Sequence, residues 1–366
     1  MARFMPRLLV AAVVACLATA ASGEHVQYKI RRGEIASRAA NLGGWLCAEY
    51  WMAFTSPLYK NVSSDVGLDG EYAVMKLLGK EQGTKQFEQH WKTFVTEEDV
   101  AKIAKTGMNT VRVSTGFWII NDEDTRDTSE LTATYAKGGL KYLDKLVNEW
   151  GVKYNLAVMV SLHAHKGSQN GMDHSAPAVK GKTTWSDSPE NVQSSLNYAT
   201  FIANRYRDSP AFLGLNLMNE PNRPTNYDVL KKFYKDAYAL IRADGNDCII
   251  VTSPWLENQG PPTMDDFMTC PDYFNVWHEY HIYYKWGWES VSKADVFKAA
   301  ASYVNDKIKP WKGNPLFIGE WSLATIDEIQ LTPTELKTFW QTQMKDGSLE
   351  TAFLAIASAA LAWTAM

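Results

Sequence analysis

The sequence predicts an α/β fold, a (β/α)8 barrel in one domain, and three observations carry the expectation. Seven short apolar runs rich in Val, Ile and Leu recur along the chain, amphipathic stretches of helical period separate them, and no Ser/Pro/Gly linker interrupts residues 24–366. Near-continuous apolar runs are what parallel strands need when both of their faces are covered. A doubly wound sheet is the alternative arrangement of the same elements.

The chain opens with an address rather than a fold element. Arg3 and Arg7 precede the uncharged run Leu8 to Ala21, and Ala21 and Gly23 are small enough for cleavage after residue 23, with cleavage after Ala20 as the alternative. The run is short for a membrane span of about 20 residues, so residues 1–23 are expected to be a signal peptide and the mature chain to be secreted. The strands are then expected at Asn41 to Cys47, Thr110 to Thr115, Leu156 to His163, Phe212 to Asn219, Cys248 to Ser253, Phe274 to Ile282 and Leu316 to Trp321. Thr96-Glu97-Glu98-Asp99 has the form of a capping box, after which Val100, Ile103 and Ala104 share a face until Gly107 stops the helix. Further helices are expected at Gly139 to Trp150, Pro189 to Arg207, Tyr227 to Arg242, Lys293 to Ile308 and Pro333 to Met344. Strand eight and the closing helix are atypical. The uncharged segment 351–366, with Trp363, reads as that strand, as a helix or as a divergent tail, and a glycolipid-anchor signal near Gly347 or Ser348 lacks its polar spacer.

Composition narrows the function. Against 37 Lys and Arg stand 41 Asp and Glu, a net charge of −4 that leaves no cationic footprint for nucleic acid. The 14 Trp are flat rings that pack cores and also stack on sugars. After removal of Cys16 with the signal, Cys47, Cys248 and Cys270 are too few for a disulfide framework; Cys248 with Cys270 is the expected bridge and Cys47 is expected free and buried. Asn61-Val62-Ser63 is a sequon in polar surroundings, expected in an exposed loop and glycosylated.

Polar residues gather at the strand ends: Arg112, His163, Asn219 with Glu220, His281 with Tyr283, and Glu320. In a barrel the C-terminal strand ends converge on one mouth, so these residues would meet around one ligand. Histidines 163, 165, 278 and 281 raise the thought of a metal, but their spacings diverge on strands and no Cys or Asp completes a set, so neither metal nor cofactor is expected.

Asn41-Leu42-Gly43-Gly44-Trp45-Leu46 with Glu49, Gly107-Met108-Asn109-Thr110-Val111-Arg112, Leu162-His163 followed by Gly167-Ser168-Gln169-Asn170-Gly171, Asn219-Glu220-Pro221 and Gly319-Glu320-Trp321 resemble glycoside hydrolase family 5, in particular its exo-β-1,3-glucanase branch. The resemblance implies an eight-stranded barrel that hydrolyses β-glucan with retention, Glu220 being the general acid/base and Glu320 the nucleophile. Retention needs two carboxyl groups about 5 to 5.5 Å apart, one that keeps a proton to deliver and one that stays ionised. On this reading Arg112 and Tyr283 support Glu320, Asn219 binds the sugar 2-hydroxyl, His163, His281 and Glu49 hold the terminal ring, and Trp363 is its floor. His281-Ile282-Tyr283 fits the family's His-x-Tyr, though His278-Glu279-Tyr280 has the same form. Trp255, Trp286, Trp288 and Trp311 are candidates to flank subsites, and Met172 stands where the family places an aromatic. The expected partner is a β-glucan, the expected state a monomer, at the cell wall or outside the cell. The alternatives are an endo-β-1,4-glucanase or mannanase, and a weakly active glucan-binding relative with an altered C-terminus.

Overall fold

A computed structural model describes residues 23–322 apart from Pro262. The expected signal peptide (its first 22 residues), the helix Pro333 to Met344, the anchor site at Gly347 or Ser348, and segment 351–366 with Trp363 lie outside the described residues.

Among the described residues seven parallel strands form one curled sheet in sequential order: β1 (Ala39–Leu46), β2 (Thr110–Gly116), β3 (Ala157–Ala164), β4 (Phe212–Asn216), β5 (Ile249–Thr252), β6 (Val276–Ile282) and β7 (Leu316–Trp321). Sequential order with helical crossovers is the barrel topology rather than the doubly wound one, whose strand order reverses at a switch point. The seven strands expected between Asn41 and Trp321 are all present, and β4 and β5 end at Asn216 and Thr252, short of the expected Asn219 and Ser253.

Alternation sorts each strand into two cores. Outward residues such as Val158, Val160 and Leu162 of β3 join the helices in the large core, with Trp45, Trp91, Tyr198 and Tyr234. Inward residues Ala157, Met159, Leu213, Ile249, Val251, Trp277 and Phe317 fill the lower barrel. The helix Val26–Arg31, which the apolar pattern does not announce, closes this lower end with Val26 and Ile30. Higher up, the interior changes character: Arg112, Ser161, Asn216, Ser253 and Glu279 are polar and buried. The barrel therefore runs from an apolar floor to an ionic mouth.

The helices obey their local signals. Thr96 accepts from the Asp99 amide (3.4 Å) and Asp99 from the Thr96 amide (3.0 Å), a complete capping box on Glu97–Lys105. Ser188, Asn226 and Ser292 cap Pro189–Tyr206, Tyr227–Ala243 and Lys293–Tyr303. The expected helix from Gly139 is realised as Leu140–Asp144, a wider turn Lys145–Trp150 and Gly151–Tyr154. Helices Glu71–Leu78 and Lys80–Phe94 are additional, an insertion between β1 and β2.

One covalent expectation fails. Cys248 is sealed at the foot of β5 under Arg242, whose Nη2 donates to its carbonyl (2.9 Å), whereas Cys270 stands exposed on the loop before β6, and no bridge joins them. Cys47 is free and buried, as expected. Asn61 is exposed on a turn.

Candidate active site

Glu320 is the penultimate residue of β7, beside a register shift. Tyr280 faces Ile318 across the ladder but His281 faces Glu320, so Gly319 is the extra residue. A Cβ on Gly319 would overlap the Glu279 carboxylate, so only glycine lets β7 bulge here and lift Glu320 level with His281. The bulge is fastened by Asn41, whose Nδ2 donates to the Gly319 carbonyl (2.8 Å).

Two donors serve Glu320. Its Oε1 accepts from Arg112 Nη1 (3.0 Å) and its Oε2 from Tyr283 (2.9 Å). Burial alone would raise this carboxyl, but the charges of His281 and Arg112 outweigh it and hold Glu320 well below the usual carboxylate range. It is an anion at any ordinary pH. Burial, then the charge of Glu320, pushes the Tyr283 hydroxyl far up, so it remains a donor.

Glu220 lies beyond the end of β4 with φ 46°, a left-handed conformation that costs a side-chain-bearing residue about 1–3 kcal/mol. The loop after β3 holds it there. Gln169 Nε2 donates to the carbonyls of His163 (2.7 Å) and Asn219 (2.8 Å), and Asn170 Nδ2 donates to that of Glu220 (2.9 Å). The Gly167 to Gly171 motif is thus the brace of the second carboxylate.

His281 joins the two acids. Its Nδ1 is 2.7 Å from Glu220 Oε1 and 3.6 Å from Glu320 Oε2, while Nε2 is 3.6 Å from Glu279 Oε1. Burial disfavours a charge on the ring, yet Glu320 and Glu220 outweigh it and lift the imidazole to about 10. It is a cation with both nitrogens protonated. Alternation on β6 also settles which histidine serves: Glu279 and His281 point inward, whereas His278 points out to Thr252 (2.8 Å) and Tyr280 is buried among the helices.

Beneath lies an acid without a role in the sequence reading. Glu279 is fully buried, accepts from Asn216 and Ser253 (2.9 Å), and its Oε1 is 3.0 Å from Arg112 Nε at an angle too poor for a hydrogen bond. Burial would raise it, but Arg112 and then His281 hold it low. Arg112 also donates to Asn219 Oδ1 (2.8 Å) and Asn41 Oδ1 (3.3 Å).

Among the predicted residues the fold brings together Glu220, Glu320, Arg112, Asn219, His281, Tyr283 and His163, whose buried ring is held neutral by desolvation. Glu49, on the loop after β1, is buried and raised to about 8 by desolvation despite the nearby His174. Trp51, not singled out in the sequence, donates from Nε1 to Glu49 Oε2 (2.9 Å) and is 62% exposed. Of the four candidate tryptophans, Trp286 is exposed and stands edge-on to Tyr283 at 5.3 Å. Trp255 and Trp311 spend their N–H groups on the carbonyls of Thr225 and Asn314, and Trp288 packs on Tyr284.

Ligand atoms of Glu220, His281 and Glu320 lie within 4.8 Å of one another, the only such metal-sized set among the described residues. The same set places one carboxyl oxygen of Glu220 within 4.8 Å of one of Glu320, near enough for both groups to act on one bond.

Comparison with known proteins agrees with this chemistry. The profile of the cellulase family, glycosyl hydrolase family 5, matches residues 75–357. A glucan 1,3-beta-glucosidase of Blumeria graminis is 32% identical over 88% of this chain and 73% of its own length, and a probable glucan 1,3-beta-glucosidase A of Emericella nidulans is 29% identical over 88% and 74%. The glucan 1,3-beta-glucosidase of Pichia angusta is 33% identical over 66% of this chain, which spans only 54% of that relative. Among solved structures, rutinosidase from Aspergillus niger superposes with a TM-score of 0.69 at 18% identity, covering 92% of this chain and 89% of its own. A glycoside hydrolase family 5 enzyme from Prevotella bryantii gives 0.53 at 16% identity, over 93% and 99%.

Proposed function

The chain belongs to the cellulase family, glycosyl hydrolase family 5, and is a glycoside hydrolase; from that premise we propose that it is a retaining exo-acting glucan 1,3-β-glucosidase. The observation that carries the reading is the pair Glu220 and Glu320 bridged by His281, with ligand atoms inside 4.8 Å. The 1,3-linkage rests on the names of the relatives, and the exo action on the resemblance of the motifs from Asn41 to Trp321 to that branch of the family.

In the first half-reaction Glu220 gives its proton to the leaving glycosidic oxygen while Glu320 attacks the anomeric carbon, forming a glucosyl-enzyme with inversion. In the second, Glu220 takes a proton from water, which attacks the same carbon, displaces the Glu320 carboxylate and inverts the centre again. Arg112 and Tyr283 keep Glu320 ionised and aimed. His281 occupies Oε1 of Glu220, leaving Oε2 to carry the proton in flight. Asn219, fixed by Arg112, offers its amide to the sugar 2-hydroxyl, and Glu49, His163 and His281 line the terminal ring. Trp286, with its exposed face, is the platform for the second sugar. No cofactor is needed. A cleaved leader at residues 1–23 followed by one catalytic domain, a secreted monomer and glycosylation at Asn61 complete the proposal; no helix among the described residues is long and apolar enough to cross a membrane.

The test is turnover of laminarin-type β-1,3-glucan by the purified protein, beside a cellulose derivative, with product size and anomeric configuration read by chromatography and NMR. Release of β-glucose from laminarin, abolished in Glu320→Gln, is expected. Absence of glucose from any β-glucan, or a predominance of α-anomer, overturns the reading; saturable binding without turnover would favour the glucan-binding alternative.

A further inference from the structure

The loop after β3 carries a histidine that the mechanism leaves without a task. His174 is buried on the short turn Asp173–Ser175, which is clamped from neighbouring segments. The Cys47 thiol donates to the His174 carbonyl (3.2 Å), the hydroxyls of Ser168 and Ser175 meet at 2.6 Å, and Gly70, at φ +93°, lies so near that a Cβ would stand 2.6 Å from the Asp173 carbonyl oxygen. A ring on so fixed a turn has a set direction. His174 Nε2 lies 3.5 Å from Glu220 Oε2, the oxygen that His281 does not hold.

The neighbours decide where the ring keeps its hydrogen. Arg112 has donors only, so Asn219 turns Oδ1 to it (2.8 Å). Asn219 Nδ2 then faces His174 Nδ1 at 3.3 Å and, being a donor, requires a bare nitrogen there. The neutral ring consequently bears its hydrogen on Nε2, opposite two acceptors, Glu220 Oε2 and Met172 Sδ (3.3 Å). Asn170 Nδ2 gives one hydrogen to the Glu220 carbonyl and stands farther from the ring than Asn219 does, 3.5 Å from Nε2 against 3.3 Å at Nδ1. Burial disfavours protonation, but Glu220 and Glu49 outweigh it and raise the ring above its ordinary value. Charged or neutral, the ring presents Nε2–H to Glu220.

We propose that His174 is a second positioning residue for the acid/base, an Nε2–H donor that steadies Oε2 of Glu220 opposite His281 and aims it at the leaving oxygen. The inference rests on the glucosidase reading of Glu220. Hydrogen bonds of this kind are commonly long before substrate arrives and tighten around it. His174 thereby links Arg112, which supports the nucleophile, to the acid on the other side of the cleft.

The experiment compares two glucosides. Laminaribiose has a poor leaving group that needs the proton, whereas 2,4-dinitrophenyl β-glucoside departs unaided. His174→Leu should lower kcat/KM for laminaribiose about tenfold, the worth of one hydrogen bond to an ionisable group, and change that for the dinitrophenyl glucoside less than about threefold. His174→Gln, which still offers an N–H, should recover most of the loss. Equal losses on both substrates, or none on laminaribiose, overturn the proposal. Failure of the wild-type protein to cleave either glucoside would instead remove the glucosidase reading, and this inference with it.

Discussion

Arg112 faces two acids at once, and removing it separates stability from catalysis. Arg112→Met strips Glu279 of its cation in a setting with no access to water, leaving Asn216, Ser253 and the more distant His281. Breaking a buried pair by deleting one partner costs about 3–5 kcal/mol, a third or more of a stability of about 10 kcal/mol. Adding Glu279→Gln removes the stranded charge while keeping an oxygen for Asn216 and Ser253, and should return about 2 kcal/mol. The second change does nothing for Glu320, which has lost its Arg112 donor, or for Asn219, which has lost its anchor. kcat/KM should fall about 10²- to 10³-fold in the single and double variants alike, the usual cost of one preorganised charge-stabilising donor. Urea unfolding gives the first quantity and turnover of an aryl β-glucoside the second. A double variant no more stable than Arg112→Met, or one that regains activity, would refute the reasoning.

Three other outcomes follow from contacts on the scaffold. Glu71 is buried, accepts from the Ala48 amide (2.6 Å), and desolvation raises it to about 8. Because the folded value lies above the unfolded one near 4.5, the wild type loses stability as pH rises from about 4.5 to about 8; Glu71→Gln escapes this loss, so its Tm should match the wild type at pH 4 and exceed it increasingly up to pH 8. Thr96→Ala removes one arm of the capping box and should cost about 1 kcal/mol in urea unfolding with kcat/KM unchanged. Gly319→Ala drives a methyl into the immobilised Glu279 carboxylate, so unfolding should lose about 1–3 kcal/mol and activity should fall with it, since the bulge that carries Glu320 must shift.

Much of this molecule is legible in its residues, for identifiable reasons. Strands such as β3, apolar on both faces from Ala157 to Val160, show a pattern that little besides a covered parallel strand produces, and Thr96 with Asp99 announces a helix start locally. Glu220, Glu320 and their partners are visible because polar residues ending apolar strands stand out. The choice between His278 and His281 is not, because β6 is polar on both faces from His278 to His281 and alternation gives no contrast there. His174 is invisible for another reason: it sits on a turn without periodicity, and its direction depends on Cys47 and Gly70, more than 100 residues earlier in the chain. Glu279 likewise reads as an ordinary strand acid until the bulge at Gly319 shows what fills the space beside it. The missing bridge between Cys248 and Cys270 reflects burial of one thiol and exposure of the other, which spacing cannot express.

The sequential order of the strands also separates the chemistry in time. Glu220 follows the fourth strand and Glu320 lies near the end of the seventh, so a chain leaving the ribosome contains its proton donor 100 residues before the nucleophile is made. Cutting the exposed turn at Asp244 and Gly245 would put the two carboxylates on separate polypeptides, and neither piece would then hold the pair that retention requires.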